Sequence, residues 1–273
     1  MGGTGSVRSH AQISLAMRKE LFILKIGGQV LEDEEALQDV VQQFAARGGH
    51  KILVHGGGKR ASQVGEALGV PARMYQGRRI TDKSTLEVVT MVYAGLYNKK
   101  LVAALQANGC NALGMSGADA NAIQAHKRLG AEIDFGFAGD IDRVDHTGID
   151  RLLQSGLTPV FCALTHDGQG QLLNTNADTI ASSLASAMTA HYQVRLQFCF
   201  EKNGVLRDPA DDHSVIPLIT HADYTRYRKE GIISGGMLPK LDNAFAALKS
   251  GVDQVAISSI HHINGLGGTT LTL

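Results

Sequence analysis

An α/β fold in three layers, with an open and mainly parallel central sheet between helices, is predicted by three features of the sequence. Short apolar runs end at Gly pairs, helical stripes follow them, and Gly supplies 32 of the 273 residues. A usual Gly share is about 7%, and this excess has neither a collagen period nor the Pro content of a disordered tract. Glycine at strand ends lets the backbone approach a ligand closely. At roughly 150 residues per domain, the length admits one large domain or two modest ones.

The elements follow in order. Residues 21–24 are an apolar run that ends in Lys25-Ile26-Gly27-Gly28, as a buried strand stopping at a glycine turn would. Leu37, Val40, Val41 and Phe44 then recur at helical spacing until Gly48 and Gly49. Residues 51–54 form a second strand that runs into His55-Gly56-Gly57-Gly58, with Ala61, Val64 and Leu68 on the helix behind it. Strand, helix and strand together make a crossover unit, which requires parallel pairing. Helices near residues 98–108 and 149–154, and strands near Leu113 and over 157–164, continue the alternation.

A helix over 176–188 and a strand over 194–200 come next, and a soft boundary falls near residue 190. It separates a unit of residues 21–190 from one of residues 191–273, with 1–20 as a tail whose first six residues are set aside. A helix over 236–249 and a strand over 254–258 complete the reading. Pro239 falls in the first turn of that helix, where no intrahelical N–H partner is required.

Composition removes several function classes. The 26 Lys plus Arg balance 26 Asp plus Glu, so no global cationic field favours nucleic acid or an anionic membrane. With no Trp and few aromatics, a stacking platform for single strands is poorly supported as well. No apolar run approaches the roughly 18 residues that span a membrane. Cys110, Cys162 and Cys199 cannot all pair and sit among apolar or small residues, as expected of core thiols in a reducing cytoplasm. The 11 His show no H-E-x-x-H and no ligand spacing with Cys, so no metal site is expected. A G-x-S-x-G elbow is also missing.

Each glycine turn sits where a parallel strand ends, which is where ligands of open sheets collect. Backbone N–H groups there, with a helix N-terminus behind them, suit phosphate; simple turns and strand caps would use the same residues. Gly56 to Ala61 also fits the dinucleotide pattern G-x-G-x-x-G/A, yet an earlier strand already ends at Gly27-Gly28, where that pattern would belong. A nicotinamide-dependent oxidoreductase is the rival it leaves. No Walker A loop is present, because Gly58-Lys59 is followed by Arg60. Lys25 at a strand end and Lys240 one turn into a helix could form a cationic clamp, or each could be an ordinary surface lysine. Asp178 opens the helix after Asn174-Thr175-Asn176-Ala177, where a carboxylate also complements the helix dipole. Arg79, before a helix capped by Thr81 or Asp82, suits a carboxylate ligand.

Lys25-Ile26-Gly27-Gly28, His55-Gly56-Gly57-Gly58, Gly77-Arg78-Arg79-Ile80-Thr81, Asn174-Thr175-Asn176-Ala177-Asp178 and Gly235-Gly236-Met237-Leu238-Pro239-Lys240 together resemble the ordered motif set of the amino-acid kinase superfamily. Within it they are most similar to the N-acetyl-L-glutamate kinase family, over about residues 21–258. The resemblance implies that Lys25 and Lys240 stabilise a phosphoryl group in flight and that Asp178 holds the two lysines. It assigns Gly57, Gly58, Arg79 and Asn174 to the acylated amino acid, and Gly27 and Gly28 to the nucleotide phosphates. Base and ribose would lie against Glu201, Lys202, Asn203, Gly204, Val205 and Leu206, and against Ile232, Ile233 and Ser234. At Phe200-Glu201-Lys202-Asn203-Gly204 the chain departs from the family's Leu-Thr-Asp type of strand end.

The implied reaction is ATP-dependent phosphorylation of a side-chain carboxylate in arginine biosynthesis, by a cytoplasmic homodimer. Mg²⁺ would be carried on the ATP phosphates and water. N-acetyl-glutamate, N-succinyl-glutamate and a carbamate or other amino acid all remain open as acceptors. Both reactants are anionic, so the protein must align them and offset charge on the transferring oxygens. A unit-charge pair about 4 Å apart is worth roughly 4 kcal/mol at an effective dielectric near 20 but only about 1 in bulk water. An interposed carboxylate would offset repulsion between the lysines.

Overall fold

The computed structural model describes residues 18–130, 132–263 and 267–273. Residues 1–17, and with them nearly all of the expected tail, lie outside the described residues. The chain opens with strand β1 (Glu20–Ile26), short helix α1 (Gly28–Glu32), helix α2 (Glu34–Ala46), strand β2 (His50–His55) and helix α3 (Gly58–Ala67). A hairpin, β3 (Arg73–Tyr75) and β4 (Arg78–Ile80), leads into α4 (Lys83–Thr90), a π-helical stretch (Met91–Tyr97) and α5 (Asn98–Ala107). Then come β5 (Ala112–Met115), β6 (Ile123–Lys127), β7 (Gly139–Val144), α6 (His146–Gln154), β8 (Thr158–Phe161), β9 (Leu164–His166) and β10 (Leu172–Asn174). The last stretch holds α7 (Ala177–Met188), β11 (Gln193–Phe200), β12 (Leu218–Thr220), α8 (His221–Lys229), α9 (Met237–Lys249), β13 (Gln254–Ser259) and β14 (Thr269–Thr272).

Eight strands form one sheet in the order β12-β14-β13-β11-β1-β2-β8-β5. Every neighbouring pair in it is parallel except β13 with β14. The expected three-layer, mainly parallel architecture is therefore present, and β1 pairs with β11 so that strands from both sides of residue 190 share one sheet. The period of two along β1 builds both layers. Leu21 and Ile23 face Ile149 and Leu153 of α6, Ile180 and Leu184 of α7 and Leu241 of α9. Phe22, Leu24 and Ile26 face Leu37, Val40 and Phe44 of α2, Leu86 and Val89 of α4 and Leu101 of α5. By the same alternation Lys25 shares the face of Leu21 and Ile23, toward α7.

The single strand expected over 157–164 is two strands. Leu164 N donates to Cys162 O at 2.9 Å, and the chain bends there out of the main sheet. β9 then enters a second sheet of order β10-β9-β6-β7, which the sequence reading did not contain. All three cysteines are buried and unpaired, as expected. No helix among the described residues is long and apolar enough to cross a membrane.

Candidate active site

The parallel strands deliver their carboxyl ends to one edge of the sheet. β1 and β11 finish together, and Gly27 N donates to Cys199 O at 2.9 Å, so the first glycine turn begins against the end of β11. A side chain at Gly28 would meet nothing within 4 Å. Its absence is not demanded by internal packing, and it leaves the main chain open to a visitor. Gly57 is different: its φ is +149°, and an added Cβ would come 2.8 Å from Tyr97 Cδ2 and 3.0 Å from Tyr93 Cδ1. Only Gly fits that turn.

Asn176 starts α7 by accepting hydrogen bonds from Asp178 N at 2.8 Å and Thr179 N at 3.1 Å. This cap sets Asp178 in the first turn, facing the end of β1. Lys25 Nζ lies 2.6 Å from Asp178 Oδ1. Lys240 Nζ, one turn into α9, lies 3.4 Å from the other oxygen, Oδ2. Two ammonium groups therefore share one carboxylate. The Lys25 and Asp178 side chains are 10% and 9% exposed and Lys240 is 27% exposed, so the pair is buried while the second lysine borders solvent. Burial pushes the Asp178 carboxyl up, but the charges of Lys25 and Lys240 together outweigh it and hold the group below the usual carboxylate range.

A second wall forms around Thr81. Arg79 on β4 donates through Nη2 to Gly58 O and to Ser62 Oγ, both at 2.8 Å. Asn174, at the end of β10, donates to Thr81 Oγ1 at 2.9 Å. Arg79 thus meets Gly58, next to Gly57, and Asn174 meets Thr81, two residues on from Arg79, although these segments arrive from a hairpin, the second sheet and a glycine turn. Asp82, one of the two expected caps, is the one that accepts from Thr85 N, at 2.9 Å.

Beneath the glycine turn lies an anchor that sequence reasoning missed. His55 is fully buried; its Nδ1 is 2.9 Å from Gly56 O and its Nε2 is 3.1 Å from Asn98 Nδ2. Asn98 Nδ2 also donates to Val160 O at 2.8 Å. The amide nitrogen can only donate and the Gly56 carbonyl can only accept, so Nε2 accepts, Nδ1–H donates, and the ring is neutral. Burial pushes its pKa down to about 4. A His directly before three glycines at a strand end was the available signal.

The expected base and ribose contacts divide. Glu201 is exposed, Lys202 pairs with Asp212 at 2.7 Å, and Asn203 Oδ1 accepts from Ser259 Oγ at 2.9 Å. Ile232 is half-buried and Ser234 exposed. Gly204, Val205, Leu206 and Ile233 are buried. Val205 and Ile233 pack into the core that holds α7 and α9. The main chain there is partly tied into the fold: Val205 N donates to Thr269 Oγ1 at 2.8 Å, and Ile233 N donates to Tyr227 O at 3.2 Å. The loop starts at the end of β11, beside Gly27, where an added Cβ would sit 3.5 Å from Phe200 Cβ. Among the described residues no group of three or more His, Cys, Asp or Glu could hold a metal ion.

The arrangement can hold an anion between two lysines at one end and a carboxylate beside an arginine at the other. The model of the Amino acid kinase family matches residues 20–259. An acetylglutamate kinase of Bacteroides fragilis is 52% identical over 255 residues, spanning 93% of this chain and 98% of that relative. A solved N-acetylglutamate synthase from Neisseria gonorrhoeae, complexed with coenzyme A and N-acetyl-glutamate, is similar with a TM-score of 0.79 at 20% identity, over 96% of this chain and 61% of that one. Carbamate kinase from Giardia is similar with a TM-score of 0.65 at 12% identity, over 93% and 99%. At those identities the two structures speak to the fold alone.

Proposed function

The chain belongs to the amino acid kinase family, and from that premise we propose that it transfers the γ-phosphoryl group of ATP to the side-chain carboxylate of an N-acylated glutamate. N-acetyl-L-glutamate is the acceptor, in keeping with the 52%-identical acetylglutamate kinase of Bacteroides fragilis, and the step belongs to arginine biosynthesis. The observation that carries the reading is the convergence of Lys25 and Lys240 on Asp178.

In this reading a carboxylate oxygen attacks the γ-phosphorus, an O–P bond to the acceptor forms, and the bond to the leaving ADP breaks. A carboxylate is already deprotonated at neutral pH and needs no general base. Charge spreads over the equatorial oxygens of the phosphoryl group in flight, and two ammonium groups placed beforehand stabilise it without reorganising. Asp178 keeps those groups from separating and offsets their repulsion. Arg79 and Asn174 would hold the acceptor, with the main chain of Gly57 and Gly58. Gly27 and Gly28 would approach the nucleotide phosphates, and the loop from Glu201 to Leu206 with Ile232, Ile233 and Ser234 would border the base and ribose. Residues 21–190 would then carry the acceptor and 191–273 the nucleotide.

The residues present do not fit a protein-held Mg²⁺. The buried carboxylate of the site, Asp178, is taken by two lysines, and Mg²⁺ would come on the ATP phosphates. A cytoplasmic homodimer completes the reading. Met91 and Leu96, exposed on the helical stretch after α4, support such an interface, and light scattering checks it.

The test is an ADP-release assay that offers N-acetylglutamate, N-succinylglutamate, glutamate, aspartate and carbamate in parallel. The expected outcome is turnover on an N-acylated glutamate. Turnover on glutamate, aspartate or carbamate alone would replace this reading with a sister activity.

A further inference from the structure

The helix from Lys83 to Ala107 is interrupted by seven π-helical residues, Met91–Tyr97. Wider turns of this kind are rare and recur at functional sites, because they re-aim side chains that an α-helix would place elsewhere. Here they aim two tyrosines, Tyr93 and Tyr97, at the glycine turn before α3, and both are 5% exposed. Their rings occupy the space that a Cβ on Gly57 would need. The two hydroxyls go to different places. Tyr97 Oη donates to Glu32 Oε1 at 3.3 Å. Tyr93 Oη lies 3.7 Å, and Arg79 Nη2 3.8 Å, from the point where a Cβ on Gly58 would stand, so hydroxyl and guanidinium flank the same glycine. Arg79 Nη2 itself donates to Gly58 O, at 2.8 Å. A guanidinium can only donate and a phenol can donate its O–H, so both groups can offer a proton to an anion beside Gly58.

We infer that Tyr93 is a substrate-positioning residue whose O–H, beside the Arg79 guanidinium, takes an oxygen of the acceptor's carboxylate. The pairing supplies an anion with a charged and a neutral donor from one side, and the π-helical stretch holds the second donor in place. This inference rests on the function proposed above.

The test is Tyr93→Phe in the ADP-release assay with N-acetylglutamate, beside Tyr97→Phe as a control from the same stretch. Loss of one hydrogen bond to a charged group should raise the KM for the acceptor about tenfold, with kcat and the KM for ATP changed by less than about twofold. Tyr97→Phe should leave all three near the wild-type values. Tyr93→His, which keeps a ring with a donor, provides a second variant should Tyr93→Phe fold poorly, and should hold the rise to about threefold or less. An unchanged acceptor KM in Tyr93→Phe, or an equal rise in both Phe variants, overturns the assignment of Tyr93. A wild-type enzyme inactive on every N-acylated glutamate overturns the proposed function instead.

Discussion

Lys25 and Lys240 grip opposite oxygens of Asp178, at 2.6 and 3.4 Å, so that two cations remote in sequence share one buried anion. The strand end carrying Lys25 and the first turns of α7 and α9 are thereby locked to each other at the sheet edge where the glycine turns gather.

Removing Lys240 tests the clamp directly. Its side chain is 27% exposed, so Lys240→Ala leaves little uncompensated in the core. The expected result is a kcat at least about a hundredfold lower, the scale of one preorganised charge stabiliser. Near-normal turnover in a variant with native circular dichroism would remove the role.

Asp178→Asn should cost stability as well as rate. The amide leaves two ammonium groups near each other, one of them largely buried, and breaking a buried pair costs about 3–5 kcal/mol. Urea denaturation at pH 7 measures it. The folded carboxyl is held below its usual range, so this contribution is present above the unfolded pKa near 4 and is lost as pH falls through the lower, folded value. The gap between wild type and variant should therefore narrow under strong acid and persist at neutral pH.

Arg79→Ala should raise the KM for the acceptor while the KM for ATP stays unchanged, because Arg79 donates to Gly58 O and Ser62 Oγ at the second glycine turn rather than at the first. Initial-rate kinetics in both substrates separate the outcomes, and a shift in ATP affinity alone would reassign the residue.

His55 makes stability depend on pH in a stated window. Its pKa falls from 6.5 to about 4 on folding, so the unfolded chain binds a proton that the native one refuses. Stability is full above pH 6.5 and declines by roughly 1.4 kcal/mol per unit down to about pH 4. His55→Asn, compared with wild type by denaturation at several pH values, should show a shallower decline across that window.

Burial pushes the thiols of Cys162 and Cys199 up to about 12. Neither should react with a thiolate-directed reagent in the native protein within minutes at pH 8, whereas all three cysteines should react in urea. Rapid native labelling of either residue would contradict the packing.

Much of this was legible in one dimension. The runs ending at Gly27-Gly28 and Gly56-Gly57-Gly58, and the stripe from Leu37 to Phe44, mark strands and helices because burial on both faces or on one face writes periodicity into the chain. The hairpin of β3 and β4, the second sheet and the π-helical stretch were not legible, since strands of three to six residues and a one-residue change in helical turn leave too short a pattern. The break at Cys162 was hidden for a related reason: apart from Thr158, residues 157–164 are apolar, and the bend that assigns them to two sheets lies in which partner strands accept them.

By itself the sequence determined the layer order, the glycine turns and the types of side chain available for phosphoryl chemistry, because these follow from local periodicity and backbone freedom. Only the tertiary structure decided that Lys25, Asp178 and Lys240 meet, that Tyr93 stands beside Arg79, and that His55 is a neutral anchor beneath the turn. Charge pairing and desolvation act through space at a few ångströms, and those distances exist only once the sheet has brought remote segments to one edge.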